Sequence, residues 1–171
     1  MLEKYDFSNA RKLRDVLNIE LTDYSRDYYM SLALSLAREA ADAGEVPVGC
    51  VIADGDGKVI GKGRNRRIEN HDATAHAEIE AIRSACAALG DWRLDGCTMF
   101  VTLEPCPMCA GAIIMSRLPT LVFGAREPVT GSVGSVIDLF SERYGHSPAV
   151  FPGVCGEECS AILKDFFTGK R

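Results

Sequence analysis

The chain has no run of about 18 apolar residues, the length that reads as a membrane-crossing helix. Its first twenty residues are too charged for the apolar segment of a signal peptide, so the expectation is a soluble cytoplasmic protein with no membrane partner. An excess of positive charge is also missing: 19 Lys and Arg stand against 24 Asp and Glu, a net charge of −5. A general nucleic-acid binder needs clustered Lys and Arg, so any polyanion site must be a local patch. The cysteines do not suit a disulfide framework. There are seven, an odd number, in a chain of 171 residues that is too long to need stapling, which favours reduced thiols or metal ligands. Internal repeats and low-complexity tracts are absent as well.

What is there suffices for one domain, because 47% hydrophobic content over this length can bury a substantial core. Residues 1–22 carry mixed charge and no strong period, although Leu13, Val16 and Leu17 could line a short helix. They are read as an N-terminal extension to a domain over residues 23–171. Tyr29, Leu32, Ala33, Leu36 and Ala40 then recur at helical spacing, with Gly44 as the stop. Residues 46–53 and 58–63 read as strands joined by a hairpin at Asp54-Gly55-Asp56-Gly57. That quartet also resembles a calcium loop, but Asn65 stands where the bidentate Glu would be required.

Further on, Ile79, Ile82, Cys86 and Leu89 give a helix over residues 75–89 with one apolar face. Residues 99–103 form a short strand that Pro105 ends. Pro107 suits the first turn of a helix running to about Arg117. Residues 121–125 are another strand, and the Gly- and Pro-bearing stretch 126–135 is a loop. Cys159, Ile162, Leu163 and Phe166 mark an amphipathic terminal helix with Lys170 and Arg171 behind it. Such alternation predicts a layered α/β domain.

The chemistry concentrates in two short motifs. His76-Ala77-Glu78 opens one helix, and Pro105-Cys106-Pro107-Met108-Cys109 opens another, 30 residues later. At a helix start the positive end of the dipole, together with a metal, favours the thiolate that binds zinc. His76, Cys106 and Cys109 make three protein ligands. Structural zinc sites usually close all four positions with protein, whereas catalytic sites keep one for water, so the count favours catalysis with one zinc per chain. Zinc lowers the pKa of its water towards neutrality, and Glu78, two residues from His76, is placed as general acid and base. Alone, Cys-x-x-Cys reads equally as a redox pair or half a structural zinc site, and His-x-Glu as surface chemistry. Together and in this order they are the signature of zinc nucleobase deaminases.

From Tyr29 to the end the sequence resembles the cytidine deaminase-like superfamily, and within it the bacterial tRNA-specific adenosine deaminases. The segments that carry the resemblance are Glu45-Val46-Pro47-Val48-Gly49, Gly63-Arg64-Asn65-Arg66, Thr74-Ala75-His76-Ala77-Glu78-Ile79, Val101-Thr102-Leu103-Glu104-Pro105-Cys106 and Phe123-Gly124-Ala125-Arg126. The Phe166-Phe167 ending is similar too. The resemblance implies a three-layer αβα fold around a mixed five-stranded sheet, a homodimer, and hydrolysis of adenosine to inosine at the wobble position of tRNA. It implies the anticodon loop as partner, whose unpaired bases can be splayed out at little cost.

By the same resemblance Asn65, Glu104, Glu127 and Phe167 contact substrate. The alternative reading of Asn65 is a loop-capping residue, and helical spacing makes at least one of Phe166 and Phe167 core. Arg67 and Ala73 stand where this family commonly has proline, and Val129 where it commonly has a polar or basic residue. Arg64, Arg66 and Arg67 around Asn65 read as a local positive patch or as a solvated loop. Cys50, Cys86 and Cys97 fall in apolar elements, as does Cys159, which argues against a second metal site with Cys155 and His146. Two other functions are open: a deaminase of a free base or nucleoside such as guanine or cytosine, and a zinc-stabilised binding module without activity. The intact Glu78 counts against the last.

Overall fold

The computed structural model describes residues 23–169, so the extension at 1–22, its helix-compatible Leu13, Val16 and Leu17, and the basic Lys170 and Arg171 lie outside the described residues. The elements run α1 (Asp23–Asp42), β1 (Gly49–Ala53), β2 (Val59–Arg64), α2 (Ala77–Leu89), β3 (Thr98–Leu103), α3 (Pro107–Met115), β4 (Thr120–Ala125), a single 3₁₀ turn (Leu139–Ser141), β5 (Ala149–Pro152) and α4 (Gly156–Thr168). The five strands form one sheet in the order β2-β1-β3-β4-β5. β1 is antiparallel to both β2 and β3, while β3, β4 and β5 run parallel, so the sheet is mixed as expected.

Alternation along the strands divides the core between the two faces of the sheet. Cys50, Ile52, Met99, Val101, Leu121 and Phe123 pack against α2 and α3. Val51, Phe100 and Val122 face α1 and α4 on the other side, where the Tyr29 ring stacks on Phe100 with centroids 4.7 Å apart. Helices thus cover both faces, giving the three-layer αβα arrangement.

Three expectations need correction. The first strand starts at Gly49 rather than at 46, because the Val48 N–H turns back to the Val46 carbonyl at 2.8 Å and Pro47 has no N–H to offer a ladder. The fully buried face of α2 carries Ala77, Ala81 and Ala85; of the predicted residues Ile82 and Cys86 pack half-buried against the same core, Ile79 is half-buried, and Leu89 is 45% exposed. The cause lies in β2. A Cβ on Gly63 would overlap the Ala77 carbonyl, so helix and strand approach until only alanine fits between them. The third helix ends at Met115, two residues short, and Arg117 adopts a left-handed φ of 60° that stops it. The Asp54 carboxylate accepts the N–H groups of Asp56 and Lys58 at 3.0 and 2.9 Å, building the hairpin turn from within. β5 has no counterpart in the periodicity. It is four residues long, half-exposed, and ends in proline, as an edge strand tolerates.

Candidate metal centre and its two loops

α2 and α3 share one face of the sheet, and their N-termini present the two motifs to each other. His76 is the N-cap of α2 and Cys106 the N-cap of α3, both with extended backbone (ψ 154° and 173°). Pro107 follows at the first helical position, where its missing N–H costs nothing, and Cys109 lies in the same first turn. The ligand atoms of His76, Cys106 and Cys109 all lie within 4.8 Å of one another. His76 Nδ1 is 3.7 Å from Cys106 Sγ and 3.5 Å from Cys109 Sγ. In a tetrahedral site with Zn–S of about 2.3 Å and Zn–N of about 2.05 Å, that edge is about 3.6 Å, so the donor set and its spacing fit zinc.

Hydrogen bonds couple the three donors to one another. The hydrogen bond from Cys109, with help from His76, holds the Cys106 thiol well down, at about 4. The hydrogen bond to Cys106, together with burial, pushes the Cys109 thiol up. The same contact with Cys106 raises His76. Glu78, only 4% exposed, follows His76 by two residues at the start of α2. Burial pushes its carboxyl above the usual range, against its own backbone N–H and the His76 charge, which pull the other way.

Asn65 joins the loop before α2 to the helix itself. Its Oδ1 accepts the Ala77 N–H at 3.2 Å and its Nδ2 donates to the Val46 carbonyl at 3.0 Å. The capping function therefore exists, whatever else Asn65 contacts. Beside it opens a cavity of about 430 Å³ lined also by Arg67, Ile68, His71, Asp72 and Ala73. Arg64 is paired with Glu69 at 2.9 Å and Arg66 lies 3.9 Å from the same carboxylate, so much of the expected positive patch is neutralised.

Glu104 is 2% exposed, and its carboxylate turns away from solvent into the loop after β4. It accepts the N–H groups of Glu127, Val133 and Ser135 at 3.2, 3.1 and 3.0 Å, and the Ser135 hydroxyl. The carboxylate of Glu127 faces its own loop and takes the Val129 N–H at 2.8 Å. Phe166 is half-buried and Phe167 is 53% exposed, their rings edge to face at 5.3 Å, so one ring packs and the other is left outside. Cys159 is in the core and the His146 ring hydrogen-bonds the Leu118 carbonyl at 2.8 Å, so they are engaged elsewhere than in a second metal site.

Glu45 is a site residue that no sequence expectation singled out. It is 2% exposed and accepts the N–H groups of Ile68 and Glu69 at 2.8 and 3.0 Å, doing for the loop before α2 what Glu104 does for the loop after β4. Its position at the head of the Glu45-Val46-Pro47-Val48-Gly49 segment is the one signal the sequence carries for it.

The sequence matches the MafB19-like deaminase family over residues 24–171. It is 45% identical over 146 residues to the tRNA-specific adenosine deaminase of Bacillus subtilis, covering 85% of this chain and 90% of that protein. It is 50% identical over 145 residues to the tRNA(Ile)-lysidine synthase of Deinococcus deserti, but spans only 27% of that protein's length. Among solved structures, a tRNA:A34 deaminase from work on A-to-I editing at the wobble position of transfer RNA superposes with a TM-score of 0.77 at 47% identity, covering 80% of this chain and 99% of that one. With His76, Cys106 and Cys109 grouped near the buried Glu78 at two facing helix starts, the chain belongs to the tRNA-specific adenosine deaminases.

Proposed function

We propose that this protein hydrolyses adenosine to inosine at the wobble position of tRNA, with His76, Cys106 and Cys109 holding one zinc ion. The observation that carries the reading is the three-ligand set at tetrahedral spacing with the buried carboxylate of Glu78 beside it. Zinc bound there would supply an activated water at the fourth position. Glu78 takes the proton from the attacking water, delivers it to N1 of the adenine, and serves again as ammonia leaves, so that water and adenosine yield inosine and ammonia. Burial keeps that carboxylate out of bulk water while it carries the proton. Asn65, whose side chain holds the first N–H of α2, and Glu127, Phe167 and the Glu104-held loop are the candidate contacts to the splayed-out anticodon loop.

A homodimer in the cytoplasm goes with the tRNA reading. Among the described residues no helix is long and apolar enough to cross a membrane. Sedimentation velocity at twice the monomer mass is the expected result for the dimer.

The deciding experiment incubates the zinc-loaded protein with an anticodon stem–loop carrying a wobble adenosine, and separately with free adenine, guanine and cytosine, and follows inosine and ammonia. Inosine in the stem–loop is expected. Ammonia from a free base alone would overturn the assignment.

A further inference from the structure

The end of β2 and the loop that follows it carry three arginines, Arg64, Arg66 and Arg67, whose side chains are in different situations. Arg64 pairs with Glu69 and also donates to the Asn65 carbonyl at 3.1 Å, and Arg66 leans on the same Glu69. The Arg67 guanidinium has neither a hydrogen bond nor an ion pair among the described residues. Its backbone is nevertheless fixed, because its carbonyl accepts the Asp72 N–H at 3.1 Å and the next two N–H groups are held by Glu45.

Arg67 lines the cavity that it shares with Asn65 and His71. The two acids of that cavity are engaged with its walls. Glu45 faces Ile68 and Glu69, and Asp72 takes the N–H and hydroxyl of Thr74, both at 2.7 Å. His71 is held at a left-handed φ of 50°, a costly conformation for a non-glycine residue that concentrates where ligands are gripped. A planar cation with free donors, mounted on a fixed loop at a cavity that adjoins Asn65, matches the geometry of a phosphate oxygen pair.

We propose that Arg67 binds a backbone phosphodiester of the RNA next to the target nucleotide, and so makes this site select a strand over a free base. The inference rests on the deaminase reading for the identity of the strand, and its test reads binding rather than turnover. A fluorescently labelled anticodon stem–loop is titrated with wild type, Arg67→Ala and Arg67→Lys over a series of NaCl concentrations. One phosphate contact to a single strand contributes a slope of about 0.7 in log affinity against log salt. Arg67→Ala is expected to weaken binding roughly tenfold and to flatten that slope by about 0.7. Arg67→Lys should keep the slope while losing a few-fold in affinity, because a point charge replaces the fork.

Adenosine 5′-monophosphate as competitor separates the two phosphate sources. An Arg67 effect on the monophosphate with none on the RNA overturns the proposal, as does an unchanged slope in Arg67→Ala. RNA binding with an Arg67-dependent slope but no inosine would overturn the deamination reading and support this one.

Discussion

Ser135 meets Glu104 twice, donating both its hydroxyl and its N–H to one buried carboxylate. With the N–H groups of Val133 and Glu127 this gives four donors to a side chain that is 2% exposed. Burial alone would raise the Glu104 carboxyl, but the hydrogen bonds from Ser135, Glu127 and Val133 outweigh it and bring the carboxyl below its usual range. The residue is a charged knot that gives the loop after β4 its shape.

Glu104→Gln keeps the volume but presents an amide NH₂ to donors that need an acceptor. A loss of about 3 kcal/mol is expected from urea denaturation, and about 1.5 kcal/mol for Ser135→Ala, which removes one charge-assisted bond. A loss below about 1 kcal/mol in Glu104→Gln would show that the loop is held by other contacts.

The grouping of His76, Cys106 and Cys109 near Glu78 is legible in the sequence because each motif is local: a helix start fixes the direction of every side chain in its first turn. The carboxylates that shape the surrounding loops are not. Glu45 carries no signal of its own and Glu104 is expected at substrate rather than in a loop, because their partners are mainly peptide N–H groups at least 23 residues away, which every residue type but proline supplies. The buried face of α2 is hidden for a related reason. Ile79 and Ile82 outrank Ala81 in any hydrophobic pattern, and only the glycines of β2 on the neighbouring strand reverse the ranking. β5 escapes notice because four half-exposed residues carry no usable period.

Glycine contacts give a sharper prediction. A Cβ on Gly63 would meet the Ala77 carbonyl, the Ala81 nitrogen and the Glu80 Cβ, two of them backbone, so Gly63→Ala must push α2 off the sheet. Destabilisation of about 2–3 kcal/mol is expected. Zinc affinity should fall with it, because Ala77 sits between His76 and Glu78. A Cβ on Gly111 in α3 would meet nothing within 4 Å, so Gly111→Ala should instead stabilise by about 0.5–1 kcal/mol. Thermal melting of the two variants with opposite signs supports the reading; like signs contradict it.

Asn65 ties α2 to the segment before β1 with one acceptor and one donor. Asn65→Asp keeps the acceptor at Ala77 but faces the Val46 carbonyl with a carboxylate, whereas Asn65→Ala loses both bonds. Both should lower stability, by about 1–3 kcal/mol for the alanine variant. If Asn65 also touches substrate, KM for the stem–loop rises in variants whose zinc content is unchanged. Equal KM with full zinc would confine Asn65 to capping.

Glu78 and the metal make separable contributions, and one pair of measurements divides them. Metal analysis of the purified protein should give about one zinc per chain. Cys106→Ser, or a strong chelator, should remove it and lower the melting temperature, since the ligands sit at the N-caps of α2 and α3 and in the first turn of α3, and their removal loosens both helix starts. Glu78→Gln should keep the zinc, because the carboxylate is not one of the three ligands, while kcat on the stem–loop drops by about 10²–10⁴. Retained turnover in Glu78→Gln would reject the proton-carrying role and leave the zinc assignment intact. Zinc lost from Glu78→Gln would mean that the carboxylate supports the metal directly, and its effect on rate could then no longer be read as proton transfer.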